Sequence, residues 1–210
     1  MKKLMIALAI VAIASVAQAE LLATWTFSGG NSSMSANGSA ANIGQVTFGE
    51  LTRVELGVSS TAANQFACNN WIESDNGISL SVTVAASYEI ANATIGVGGL
   101  NGSGTGAGTL QWSLNGSDVG TAWTVAYASA SSVYADVAVG TIDAGANTLF
   151  LRSTGGAVNT PTGSPAAAGS SRLLNSLTMD GDIQAVPEPA TMSLLGLGAL
   201  AMVLRRKMKK

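Results

Sequence analysis

The chain has 210 residues, and apart from basic clusters at both termini it carries three arginines against all 12 acidic residues, a formal charge of −9. An acidic, lysine-free segment of this kind repels nucleic acid, so a nucleic-acid-binding function is excluded. The sequence has no histidine and one cysteine, which also excludes a Ser-His-Asp triad, a Cys-His pair, a histidine zinc site and an internal disulfide.

The first 19 residues have the three parts of a secretory signal peptide. Two lysines precede an apolar run from Leu4 to Val16, and the small residues Ala17 and Ala19 mark a cleavage position before Glu20. The apolar run is too short for a comfortable membrane span. We therefore expect the Sec machinery to export the chain and signal peptidase to cleave it after Ala19.

Residues 20–184 are predicted to form one all-β domain, because apolar and polar side chains alternate with a period of two. The clearest run extends from Ile78 to Val84. Another, from Leu110 to Leu114, leads into Asn115-Gly116, the commonest tight hairpin pair. Val54, Leu56 and Val58 alternate with polar or small neighbours in the same way. Further strands are predicted at Leu22 to Phe27, Gln45 to Phe48, Ile90 to Val97, Ala122 to Tyr127, Val133 to Val139, Thr148 to Arg152 and Leu173 to Met179.

Breaker-rich segments separate these strands at the spacing expected of an antiparallel β-sandwich. Asn31 to Asn42, Gly98 to Gly108 and Ser153 to Ser171 are rich in small and polar residues and are predicted to be loops. No segment between the two ends keeps a helical period for more than two turns, so the predicted fold class is all-β.

The four tryptophans are the candidate sites for stacking on sugar rings. Trp112 shares its parity with Leu110 and Leu114, which predicts a core position, and Trp123 is likewise predicted to be buried. Trp71 is flanked by polar residues and is the tryptophan that we expect to be exposed. It is therefore the candidate glycan-binding residue.

Two pairs of carboxylates are close in sequence, and no catalytic residue is predicted. Glu73 with Asp75, and Asp180 with Asp182, lie beside turn-forming residues, which explains acidic side chains at these positions. Paired carboxylates are also the residues that hydrolyse glycosidic bonds. For Asp180 and Asp182 the alternative is a structural calcium ion, since calcium prefers oxygen ligands. No other cofactor is predicted.

The last 26 residues, 185–210, consist of three ordered parts. An extended, proline-containing segment is followed by an apolar stretch, residues 190–204, that is predicted to be a transmembrane helix. Such a helix is about 22 Å long, short of the ~30 Å hydrocarbon core. The extended segment is Val186, Pro187, Glu188, Pro189, Ala190 and Thr191. The basic tail, predicted to stay cytoplasmic by the positive-inside rule, is Arg205, Arg206, Lys207, Lys209 and Lys210.

This order of motif, short apolar helix and basic cluster resembles the PEP-CTERM sorting signal of Gram-negative bacteria. The resemblance implies an exosortase as partner, a membrane-embedded enzyme similar to cysteine proteases that cleaves near the Pro-Glu-Pro sequence. It also implies transient anchoring in the inner membrane, followed by transfer to the envelope, the cell surface or the extracellular matrix. In that reaction this chain is the substrate.

The middle of the chain is similar to PEP-CTERM proteins with a jelly-roll-like domain. The similarity rests on an early Trp-Thr-Phe strand, Asn70-Trp71, the strand from Ile78 to Val82, the Leu-Gln-Trp-Ser-Leu-Asn-Gly sequence at 110–116 and a closing Arg-Leu-Leu-Asn-Ser-Leu at 172–177. It departs from the usual form at Leu174, where an aspartate is common. It implies a fold and no particular activity.

Three functional hypotheses follow from the sequence. The first is an exported envelope or matrix protein, not an enzyme, with a structural or adhesive role. The second is a carbohydrate-binding module that recognises extracellular polysaccharide at the cell surface. The third is a hydrolase with weak activity on glycans.

Overall fold

The computed structural model describes residues 19–27, 37–38, 43–58, 66–69, 76–98, 108–125, 134–154, 171–174, 176–186, 196–198, 201–202 and 205. These residues contain thirteen strands and one short 3-10 helix, Ile43–Gln45. The strands are β1 (Glu20–Thr26), β2 (Asn37–Gly38), β3 (Val46–Val54), β4 (Gly57–Val58), β5 (Phe66–Asn69), β6 (Gly77–Val84), β7 (Tyr88–Gly98), β8 (Gly108–Leu114), β9 (Ser117–Val125), β10 (Tyr134–Ile142), β11 (Gly145–Ser153), β12 (Ser171–Leu174) and β13 (Ser176–Ala185).

The strands form two five-stranded antiparallel sheets and one small sheet. The first large sheet has the order β10-β7-β13-β1-β2, and the second has the order β3-β6-β11-β8-β9. The small sheet has the order β12-β5-β4. Most neighbouring strands are not consecutive in sequence, so long connections cross between the sheets. The predicted β-sandwich is confirmed, and this strand order is consistent with a jelly-roll-like arrangement.

The core lies between the two large sheets. Trp25, Ile95 and Met179 come from the first sheet, and Leu80 and Trp112 come from the second; all five are fully buried in one apolar cluster. The Trp25 ring meets the Phe48 ring of the opposite sheet edge-on, with centroids 5.7 Å apart and planes at 89°. This aromatic pair connects the two sheets at a geometry that favours such contacts.

The most regular predicted strands are confirmed. In β6, Ile78, Leu80, Val82 and Val84 are buried, while Ser81 and Thr83 are exposed. The hairpin between β8 and β9 turns at Asn115 and Gly116, which have φ values of 51° and 83°. Two consecutive positive φ values define the tight hairpin turn that Asn-Gly favours.

The predicted alternation of Val54, Leu56 and Val58 does not form one strand. β3 ends at Val54, and Glu55 has a φ of 53°, in the left-handed region. This residue reverses the alternation, so Val54 is exposed and Leu56 is buried. A positive φ at a non-glycine residue depends on the surrounding structure, which the local pattern does not report.

Two further predicted strands have different bounds. β9 begins at Ser117, five residues before the predicted start at Ala122, because it continues directly from the hairpin turn. The predicted strand from Leu173 to Met179 is divided between β12, in the small sheet, and β13, in the first large sheet. The predicted loops at 31–42, 98–108 and 153–171 lie largely outside the described residues.

Candidate functional site

The sorting segment begins where a central strand of the sandwich ends. β13 pairs with β7 along its length, up to Ala185 opposite Tyr88. The next residue, Val186, donates a backbone hydrogen bond to Ser87 O at 2.8 Å. Residues 185–186 therefore belong to the folded domain, and Pro187 follows immediately after the last of these hydrogen bonds.

The predicted signal-peptide junction lies on the neighbouring strand, toward the same end of the sandwich. β1 begins at Glu20, which faces Gly181 of β13 across the antiparallel ladder. Ala19 and Glu20 are both exposed. Gly181 is four residues before Ala185, which corresponds to roughly 13 Å along a strand. We call this part of the sandwich the signal end, defined by Glu20, the turn at residues 85–87 and residues 185–186.

Most of the predicted signal residues themselves lie outside the described part of the chain. These are Ala17, Pro187, Glu188, Pro189, Ala190, Thr191, Arg206, Lys207, Lys209 and Lys210. Within the predicted transmembrane segment, residues 196–198 and 201–202 are helical, as is Arg205. No helix among the described residues has both the length and the apolar character needed to span a membrane. The signal peptide and the transmembrane helix stay predictions.

Asp180 and Asp182 lie on β13, on the outer face of the first sheet and close to the signal end. Asp180 faces Thr94 of β7, and Asp182 faces Ala91. The extra β7 residue between these two pairs forms a bulge that contains Asn92, whose φ is 52°. Asn92 Nδ2 donates a hydrogen bond to Asp182 Oδ2 at 2.9 Å.

Asp182 is a buried carboxylate with one unsatisfied oxygen. Its relative exposure is 4%. The Oδ1 atom is buried and has no hydrogen-bond partner, whereas Oδ2 accepts from Asn92. A buried, charged oxygen without a partner is unfavourable, because it loses its hydration and gains nothing in exchange. Among the described residues on the outer face of the first sheet, Asp182 Oδ1 is therefore the atom that most clearly lacks a partner.

Asp180 is the second polar group of this region, and Asp136 is its electrostatic neighbour. Partial burial, and next the negative charge of Asp136, raise the pKa of Asp180 above its ordinary value of 3.8. A Cβ atom at Gly96 would clash with Thr178 Oγ1 and lie 3.1 Å from Asp136 Oδ1. The glycine thus leaves room for two polar side chains from the flanking strands.

The calcium prediction for Asp180 and Asp182 stays a prediction. The described residues contain no group of three or more Asp, Glu, Cys or His side chains placed to hold a metal ion. Asn92, Asp136 and Thr178 were not identified from the sequence. They are separated by 40 or more residues and come together only through the strand order β10-β7-β13, so no local pattern indicates them.

Three of the four tryptophans are described. Trp25 and Trp112 are fully buried, which confirms the core position predicted for Trp112. Trp123 is only half-buried and packs at the edge of the core, so its predicted burial holds in part. Trp71 and the Glu73 and Asp75 pair lie outside the described residues, and their predicted roles stay predictions.

A protein-family model described as the PEP-CTERM protein-sorting motif matches residues 185–207. The chain therefore carries this sorting motif. This match confirms the resemblance inferred from the proline-containing segment, the apolar stretch and the basic tail. The motif implies exosortase-dependent export and processing at the membrane. A comparison with curated proteins finds no match.

Several solved structures are similar to this chain at low identity. One is the N-terminal CBM22-1-CBM22-2 tandem domain of Paenibacillus barcinonensis Xyn10C, with 18% identity, a TM-score of 0.45 and coverage of 84% of this chain and 49% of that chain. The chain thus spans about half the length of that structure.

Two others are single modules. The CBM35 of Cellvibrio japonicus Abf62 has 16% identity and a TM-score of 0.40, with coverage of 65% of this chain and 92% of that chain. A CBM36 in complex with calcium and xylotriose has 14% identity and a TM-score of 0.35, with coverage of 61% and 98%. Similarity at this level assigns no ligand to the present chain.

Proposed function

We propose that this chain is an exported exosortase substrate whose β-sandwich has a non-catalytic, structural or adhesive role in the cell envelope or extracellular matrix. The observation that carries the proposal is the position of the two ends. β13 ends at the signal end of the first sheet, and its antiparallel neighbour β1 begins opposite Gly181, with Ala19 on the side of the signal end. A domain with this arrangement can fold while both of its targeting segments are still at one membrane surface.

The charge of the signal end supports anchoring by the C-terminal segment alone. Three acidic residues, Glu20, Glu89 and Asp143, lie at or near this end. Asp143 is placed there because it follows Ile142, which pairs with Ile90 of β7. Arg53 and Arg152 pair with Ile78 and Gly77, at the opposite end of β6. Anionic lipid head groups attract basic segments and repel acidic ones, so the sandwich itself has no electrostatic affinity for the bilayer. Release of the C-terminal segment would therefore release the domain.

Mass spectrometry of the surface-exposed protein from an exosortase-containing host tests the proposal. We expect a new C-terminus between residues 187 and 190, and loss of Lys207, Lys209 and Lys210. Because residues 20–204 contain no lysine, an amine-reactive label modifies the tail lysines of intact chains and only the α-amine of processed chains. The Pro187→Ala/Pro189→Ala variant should keep the basic tail and remain in the inner membrane. The matched control Ala185→Ser, just before the segment Val186 to Thr191, should be processed normally.

Two outcomes would contradict the proposal. Surface protein that still ends at Lys210 would exclude exosortase processing. Saturable polysaccharide binding that is lost in Trp71→Ala would assign the domain to carbohydrate recognition in place of a structural role.

A further inference from the structure

We propose that the α-ammonium group of Glu20, which is freed when the leader is cleaved after Ala19, pairs with the buried carboxylate of Asp182. The inference rests on the export step of the proposed function, because only cleavage at that peptide bond converts the Glu20 amide nitrogen into a cation. The partner of the unsatisfied Asp182 Oδ1 atom is then the new N-terminus of the chain itself.

The strand register brings the two groups together. Glu20 faces Gly181, and the ladder is antiparallel. The backbone nitrogen of Glu20 lies on the side of Ala19. In an antiparallel ladder the residue that follows Gly181, Asp182, lies on that same side. Removal of residues 1–19 therefore leaves a primary ammonium group at the position on β1 nearest to Asp182.

The chemistry of the Asp182 side chain fits an ammonium partner. Asp182 Oδ2 already accepts from Asn92, whereas the buried Oδ1 has no partner. An ammonium group supplies both a hydrogen-bond donor and a compensating charge, and charge-assisted hydrogen bonds are about twice as strong as neutral ones. Asp180 and Asp136 add negative potential on the same face of the sheet.

Pairing of this kind makes leader removal a stabilising event for the sandwich. Before cleavage, the Glu20 nitrogen is a neutral amide within a continuous chain, and Asp182 Oδ1 has no counter-charge. After cleavage, the same nitrogen carries a positive charge beside an unsatisfied carboxylate. The exported chain should therefore be more stable than the same chain with its leader retained.

The titration of the Glu20 amine tests the proposal. We would purify the full mature chain, Glu20 to Lys210, in detergent and acylate it with trace reagent across a range of pH. The first tryptic peptide, Glu20 to Arg53, contains the α-amine and no lysine, so mass spectrometry reports this group alone. We expect its pKa to lie about 1 unit above the ordinary range of roughly 7.7 to 8.0, with about tenfold slower acylation at neutral pH.

Three comparisons make the test specific. Asp182→Asn should return the amine pKa to the ordinary range, and Asp143→Asn, which removes an exposed carboxylate near the signal end, should leave it raised. A chain that starts at Ala17 carries its ammonium two residues before Ala19, the residue that the register places opposite Asp182. Its amine should titrate normally, which keeps the proposal testable if Asp182→Asn does not fold.

Equal amine pKa values in the mature chain and in Asp182→Asn would overturn the proposal. An ordinary amine pKa together with a calcium-dependent rise in Tm that Asp182→Asn abolishes would overturn it too, and would assign the site to a divalent cation. Because the N-termini are defined during purification, neither result depends on exosortase cleavage. A leader cut at another position in cells would contradict the export step without altering these measurements.

Discussion

A flexible spacer between the sandwich and the sorting motif should accelerate processing. Insertion of six Gly and Ser residues between Val186 and Pro187 keeps the distance from the motif to the apolar stretch unchanged. In the native chain, residues 185–186 are held by the Ala185–Tyr88 pair and by the Val186 hydrogen bond to Ser87 O. A protease cleft binds extended backbone, so the enzyme that cleaves near Pro187 must either accept a folded strand end or wait for it to fray.

The hydrogen bonds at the end of β13 set the size of the effect. Fraying of residues 185–186 breaks roughly two backbone hydrogen bonds, each with a net contribution of about 0.5 to 1.5 kcal/mol. The frayed state is then disfavoured by about 1 to 3 kcal/mol, so the accessible population falls roughly 5- to 150-fold. We expect the spacer to shorten the processing half-time by a factor in this range.

Pulse-chase labelling in an exosortase-containing host measures that half-time from the shift in mass when the tail is lost. The matched control carries the same six residues between Gly163 and Ser164, in a predicted loop far along the chain from the motif. Equal half-times for the spacer variant, the control and the wild type would refute the idea that the end of β13 limits access.

Two further predictions concern stability. In the chain that starts at Ala17, Asp180→Asn should raise Tm by about 1 to 2 °C at pH 7, roughly 0.5 kcal/mol, and have no effect at pH 3. The pKa of Asp180 is raised in the fold by burial and by Asp136. Its contribution to stability is therefore lost as pH rises from the ordinary pKa of 3.8 through the folded-state pKa. An equal gain in Tm at both pH values would contradict this cause. Trp25→Ala should cost about 3 to 5 kcal/mol in urea unfolding, because the side chain is fully buried, and a double-mutant cycle with Phe48→Ala should give a coupling of about 0.5 to 1.5 kcal/mol. A coupling near zero would mean that the edge-on contact adds nothing beyond burial.

The sequence predicted well where a strand is regular and its burial is local. Burial alternates in β6 from Ile78 to Val84, and Asn115-Gly116 adopts the turn that its residue types favour. The prediction failed at Val54 to Val58, because Glu55 takes a positive φ that the period-two pattern does not indicate. Periodicity reports which face of a strand is buried, and it does not report where the strand breaks.

The candidate site was predicted only in part for a related reason. Asp180 and Asp182 stood out because they are close in sequence. Their partners did not, since Asn92 belongs to a bulge in β7 and Asp136 to β10. Which strands become neighbours in a sandwich depends on long crossovers, and that pairing order has no signature in any short stretch of sequence.

The position of β13 within its sheet determines how the domain bears mechanical load. A protein attached through its C-terminus transmits tension through Val186 into this strand, along its own axis. β13 is bonded to β7 on one side and to β1 on the other, so a pull shears both ladders at once. Hydrogen bonds that are sheared together resist jointly, whereas an edge strand that is peeled away loses them one at a time. A sandwich whose last strand is central therefore resists a pull on that strand better than one whose last strand lies at a sheet edge.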